Sequence, residues 1–137
     1  MSLDKEIFWI DQDRKFMRQK NWSRPITADS FFLDEKLAWM EDNKIDHAVV
    51  LNLSQLYGNG LTQSDMKQAL RFQNDFNAQI QAENEKKFTT GFVIHAGFVD
   101  GALWEIERCV EKLNMQVLCL PTHYLNTAGE WKVIFNE

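Results

Sequence analysis

Apolar positions in the first 28 residues follow no period. IFWIDQDRKFMRQKNW mixes aromatics with charges, and we read it as an N-terminal arm, residues 1–28: one irregular helix ended by the SRPIT turn, where Pro25 blocks continuation. Trp9 and Trp22 are large apolar groups that need cover. From there the pattern is regular. Leu33, Leu37 and Met40 recur at helical spacing and predict a helix over 32–43, with Asp29 or Ser30 available to cap it. HAVVLNL, 47–53, is a nearly unbroken apolar run, as in a strand covered on both faces. A long helix over 63–84 follows, with Thr62 as N-cap and Ala69, Leu70, Phe72, Phe76 and Ile80 as its apolar stripe. FTTGFVI, 88–94, is a second strand. Leu103, Ile106, Val110 and Leu113 mark a helix over 100–113 capped by Asp100, and MQVLCLP, 115–121, a third strand. The tail AGEWKVIFNE reads as the start of another helix.

Strands alternating with amphipathic helices give an α/β fold of parallel βα units, about three strands with flanking helices, in one domain over residues 1–137. Three parallel strands leave two open edges, so self-association through those edges into a homodimer or larger oligomer is expected, with the Trp9–Trp22 arm buried against the partner.

Composition narrows the partners. The chain has 137 residues, a formal net charge of -5 and 45 % apolar residues. An acidic surface gains no counterion release from nucleic acid or anionic lipid, so neither is an expected partner. No run approaches the length of a membrane span, and the opening MSLDKEIFWI lacks the plan of a secretion signal. Cys109 and Cys119 sit in apolar contexts away from any CxxC spacing and read as buried thiols of a cytoplasmic protein.

Functional groups in α/β folds collect at the carboxyl ends of parallel strands. After the first strand come Asn52, Ser54, Gln55 and Tyr57; after the second, His95; after the third, Thr122, His123 and Tyr124. If the last two strands are neighbours, His95 and His123 come close enough to act as acid and base or to bind a carboxylate or metal. The alternative is that each bonds only to loop backbone. Asn52, Tyr57, Thr122 and Tyr124 are candidate substrate-binding groups, and His47 opens a strand at the opposite end. No HxH, HExxH or CxxC occurs, and zinc needs at least three protein ligands, so no residue is assigned to a metal. Gly58-Asn59-Gly60 reads as a turn, and Trp39 and Trp104 as core or sheet-covering groups.

The run DEKLAWMEDNKIDHAVVLNLSQLYGNG resembles the start of amidohydrolase-related family 2, which includes aminocarboxymuconate-semialdehyde decarboxylase-like enzymes. ALRFQNDFNAQI, KFTTGFVIHAGFVDGALWEIERCVEKLNMQVLCLP and THYLNTAGEW continue the resemblance over about residues 28–135. It implies part of a TIM (β/α)8 barrel, strands two to four. It also implies a divalent metal, zinc or manganese, and either hydrolysis of amide or ester-like bonds or decarboxylation of small acids. The family's ligands are an HxH after the first strand, a histidine after the fifth and an aspartate after the eighth. This chain has no HxH and stops after the strand matching the fourth, so no cofactor is expected in it alone. Of the family's site, the strand-four loop with Thr122 and His123 remains. Three readings stay open: a fragmentary member of the family, inactive alone; a hydrolase or decarboxylase of small carboxylates or lactones completed across subunits; or a non-catalytic binding or assembly module.

Overall fold

The computed structural model describes residues 9–19, 22–126 and 128–134, with the side chains of Gln19, Trp22 and Gln55 outside that description. The chain divides into two compact units, residues 1–46 and 47–137.

The first unit contains β1 (Trp9–Ile10), β2 (Phe16–Gln19), β3 (Trp22–Pro25), α1 (Ala28–Phe31) and α2 (Leu33–Asp42). The irregular helix expected in the arm is a three-stranded antiparallel meander, β1-β2-β3. A two-residue alternation sends Met17 into full burial between exposed Phe16 and half-buried Arg18. Arg14 takes a left-handed φ of 57° in the turn, where its N–H donates to the Asp11 carbonyl at 2.8 Å. Arg18 Nε donates to both Asp11 carboxylate oxygens at 2.8 Å, and this holds the Asp11 carboxyl below its ordinary range. Pro25 is tolerated because β3 is an edge strand. In α2 the expected stripe holds: Met40 is buried and Leu33 and Leu37 half-buried. The capping differs. Phe32 is the N-cap and makes no side-chain bond, while Ser30 Oγ pairs with Thr27 Oγ1 at 2.8 Å.

The second unit runs β4 (Ala48–Val50), a 3-10 turn (Ser54–Leu56), α3 (Gln63–Glu83), β5 (Phe88–Val93), α4 (Val99–Glu111), β6 (Val117–Cys119), β7 (His123–Leu125) and β8 (Trp131–Val133). β4, β5 and β6 form a parallel sheet in that order, with Val50 opposite Thr90 and Phe92 opposite Leu118. This is the α/β arrangement that the alternating pattern implies. Phe92 packs under Ala78 of α3 and Ala102 and Cys109 of α4, with Met115 beside them; each large core side chain of this kind contributes about 2 kcal/mol. At the carboxyl end a second cluster closes Tyr57, Met66 and Leu70 over Val93 and Cys119. Both cysteines are free and buried. The tail is not helical: β8 pairs antiparallel with β7, and residues 135–137 lie outside the described part.

Three apolar faces sit differently from the periodic reading. β4 is an edge strand and is not covered on both faces: Val49 within it and Leu51 just after it are 59 % and 57 % exposed. In α3, Phe72 and Phe76 face solvent, while Met66, Ala69, Leu70, Asn74 and Ala78 are buried. In α4, Leu103 and Val110 are exposed, while Ala102, Glu105 and Cys109 are buried; Asp100 lies in the first turn and Phe98 is the N-cap. Small residues let both helices approach the sheet closely, and the polar ones find partners there. Thr62 does cap α3, its Oγ1 accepting from the Asp65 N–H at 3.2 Å. Trp39 and Trp104 are exposed beneath cations instead of serving as core groups. Among the described residues, no helix is long and apolar enough to cross a membrane.

Candidate functional site

The groups at the carboxyl edge of the sheet are placed by the ends of three strands. β5 ends at Val93, and the chain turns through His95-Ala96-Gly97, with the Phe98 N–H returning to the His95 carbonyl at 3.1 Å. His95 is buried. Its Nδ1 accepts from the Gly97 N–H at 3.3 Å, so the ring proton of the neutral imidazole sits on Nε2. Burial lowers the His95 pKa, which keeps the ring neutral at physiological pH.

The ring of Tyr124 meets His95 edge-on, with centroids 5.7 Å apart and planes at 77°. Gly97 makes the space for this contact: a Cβ there would lie 2.7 Å from Tyr124 Cε2 and 3.0 Å from His95 Cε1. The partner of His95 is therefore Tyr124 and not the expected His123. THYL is a short strand, so neighbouring side chains point to opposite faces. With Tyr124 turned inward, His123 is exposed, its Nδ1 2.9 Å from Thr122 Oγ1.

The loop after β4 lies at the same edge of the sheet, tied to β7 by Asn59. Tyr57 is buried, its hydroxyl 3.5 Å from the Asn52 carbonyl, and burial, then the nearby Cys119, raises its pKa. Asn52 Oδ1 accepts from Asn77 Nδ2 at 3.1 Å, and its Nδ2 donates to Gln73 Oε1 at 3.3 Å. Ser54 stands in the 3-10 turn. The Gly58-Asn59-Gly60 turn has both glycines at φ near +80°, and Asn59 Oδ1 accepts from the Leu125 N–H at 3.0 Å, tying the loop to β7. His47, at the far end, bonds through both ring nitrogens, to the Lys86 carbonyl at 3.1 Å and Thr89 Oγ1 at 2.9 Å.

Sequence periodicity missed a row of amides. β4 pairs with β5 only as far as Val50 and Thr90. Beyond that point α3 supplies the missing bonds. Asn77 Nδ2 donates to the Gly91 carbonyl at 2.8 Å, and Asn74 takes both the N–H and C=O of Val93, at 2.8 and 2.9 Å. Asn74 also donates to Glu105 Oε1 at 2.8 Å, and Arg108 clamps that carboxylate at 2.9 and 2.7 Å. Burial pushes Glu105 up, but the bonds from Arg108 and Asn74 and the charge of Arg108 outweigh it and hold the carboxyl below its usual range. Spacing was the available signal, since Asn74, Asn77 and Gln81 fall at i, i+3, i+7.

The donor set here does not fit a metal ion. Among the described residues, no three His, Cys, Asp or Glu side chains gather. His95 has one ring nitrogen engaged, Glu105 is committed to Arg108, and the Cys109 thiol, raised by burial and then by Glu105 to about 12, keeps its proton.

No protein-family model matches the chain, and no curated protein does. Solved structures do. A 2,6-dihydroxybenzoate decarboxylase from Rhizobium aligns at a TM-score of 0.66 and 18 % identity, over 72 % of this chain and 31 % of that one. A 5-carboxyvanillate decarboxylase from Sphingomonas paucimobilis aligns at 0.61 and 24 %, over 66 % and 27 %. A dihydroxybenzoic acid decarboxylase from Polaromonas sp. JS666, solved with bound manganese and 2-nitroresorcinol, aligns at 0.65 and 18 %, over 71 % and 29 %. The likeness is one of fold: the chain shares part of the TIM-barrel architecture and spans about three tenths of the length of these enzymes.

Proposed function

We propose that this chain is a partial-barrel member of the amidohydrolase-related decarboxylase family, without hydrolase or decarboxylase activity by itself. The observation that carries this reading is the bare face of β4. In a closed barrel, the face opposite the helices is packed interior, and each helix is flanked by two others. Here Val49 and Leu51 open onto solvent, and so, on the helices, do Phe72 and Phe76 of α3 and Leu103 and Val110 of α4. These are the surfaces that a barrel's other strands and helices cover. We infer that copies of the chain associate through them, in the cytoplasm, where two buried free thiols such as Cys109 and Cys119 persist.

A second reading rests on the contact between His95 and Tyr124. A neutral imidazole against a phenol at a strand end suits proton transfer, with His123 and Thr122 exposed beside it and Asn52 and Tyr57 in the loop after β4 as further substrate-binding groups. In that reading another subunit supplies the ligands of a zinc or manganese ion, and the substrate is a small carboxylate or lactone.

The experiment is metal analysis after incubation with excess zinc or manganese and dialysis, run beside carbon dioxide release from dihydroxybenzoates. The first reading expects substoichiometric metal and release no faster than in the protein-free control. Metal stoichiometric with the chain, together with turnover, overturns it in favour of the second.

A further inference from the structure

We propose that the cleft between α3 and α4, beside His95, binds a small oxyanion, a carboxylate or phosphate group, held by Lys67 and Arg71 next to Trp104. Three cations surround the Trp104 ring: Arg71 Cζ lies 5.0 Å from its centroid, Lys67 Nζ 5.8 Å and Arg108 Cζ 6.0 Å. The charge of Arg108 is already matched by Glu105 and Asp75. Lys67 and Arg71 have no carboxylate within ion-pair distance among the described residues. They stand at i and i+4 on one helix, where like charges repel. The indole face offsets part of that repulsion but neutralises neither charge.

In a chain of net charge -5, this is a local excess of positive charge. It is set at a concavity and not spread over a convex surface. Leu70, Ile94 and His95 line the cleft, and so does Glu105, whose carboxylate is taken up by Arg108 and Asn74. Because His95 Nδ1 already accepts from the Gly97 N–H, its remaining ring nitrogen carries the proton and is a neutral donor. A guanidinium, an ammonium and an imidazole N–H at one depression with a partly apolar lining suit the oxygens of a carboxylate or a phosphate monoester. This inference does not rest on the partial-barrel reading and needs no metal; of the groups in the second reading it shares only His95.

Inorganic phosphate and acetate serve as probes, each titrated at constant ionic strength against chloride, with the Trp104 indole N–H followed by NMR and assigned through Trp104→Phe. The expected result is a saturable shift of that resonance with phosphate or acetate but not with chloride. The preferred probe identifies the class of oxyanion. Lys67→Gln combined with Arg71→Gln is expected to weaken binding about tenfold or more, with the melting temperature retained because both side chains are exposed. Absence of a saturable shift with either anion, or an equal shift in the double variant, overturns the proposal.

Discussion

His95 shows how one buried side chain sets a response to acid. Its pKa in the fold lies below the ordinary 6.5 because burial disfavours the imidazolium. Between those two values the unfolded chain binds a proton that the folded chain does not. The stability this group confers is therefore complete above the ordinary value and declines as pH falls towards the depressed one. We expect denaturant-unfolding stability to fall as the pH drops below the ordinary histidine value of 6.5, with a smaller fall in His95→Gln. An identical fall in the variant would assign the response to another group. The position of His95 at a strand end was legible from the sequence, because strand-end rules need only chain order. Its partner was not. Choosing Tyr124 over His123 depends on THYL being extended, and that follows from pairing with β8, a strand whose exposed Trp131, Lys132 and Val133 carry no apolar alternation.

At the scale of elements, the order of helices and strands in the second unit could be read directly, and Thr62 caps α3 as its position implies. The buried face of each helix could be read only in part: Ala69 and Leu70 are buried and Ile106 and Leu113 pack on the core as their spacing implies, but Phe72 and Phe76 in one stripe and Leu103 and Val110 in the other are exposed. Hydrophobic periodicity scores Asn74 and Glu105 as surface and Phe72 and Leu103 as core, whereas the packing reverses all four. The cause is the short β4, which leaves Val93 without a strand partner for its N–H and C=O, so that α3 must present an amide there. Asn74→Leu keeps similar volume but strands both backbone groups and removes a bond to Glu105. We expect a loss of about 3 kcal/mol in chemical denaturation. A change below about 0.5 kcal/mol, typical of a surface site, would show that the amide is not what fastens α3 to β5. In the arm the helical reading failed for a related reason: a two-residue alternation as short as FMRQ is visible only once β1 and β3 pair on either side.

For the whole molecule, behaviour in solution depends on what covers the exposed apolar residues. Val49 on β4 and Leu51 just beyond it, Phe72 and Phe76 on α3, and Leu103 and Val110 on α4 are each about half exposed or more. Isolated surface hydrophobics are ordinary, but here pairs of them recur on the first strand segment and on both helices of the second unit. The most direct test is the mass of the purified chain in solution at micromolar concentration, by light scattering during size-exclusion chromatography. We expect a mass of at least twice the 16.1 kDa of one chain, shifting towards 16.1 kDa in a Val49→Asp, Leu51→Asp variant. A wild-type chain that runs as a 16.1 kDa monomer would contradict the claim that copies cover one another's open sheet.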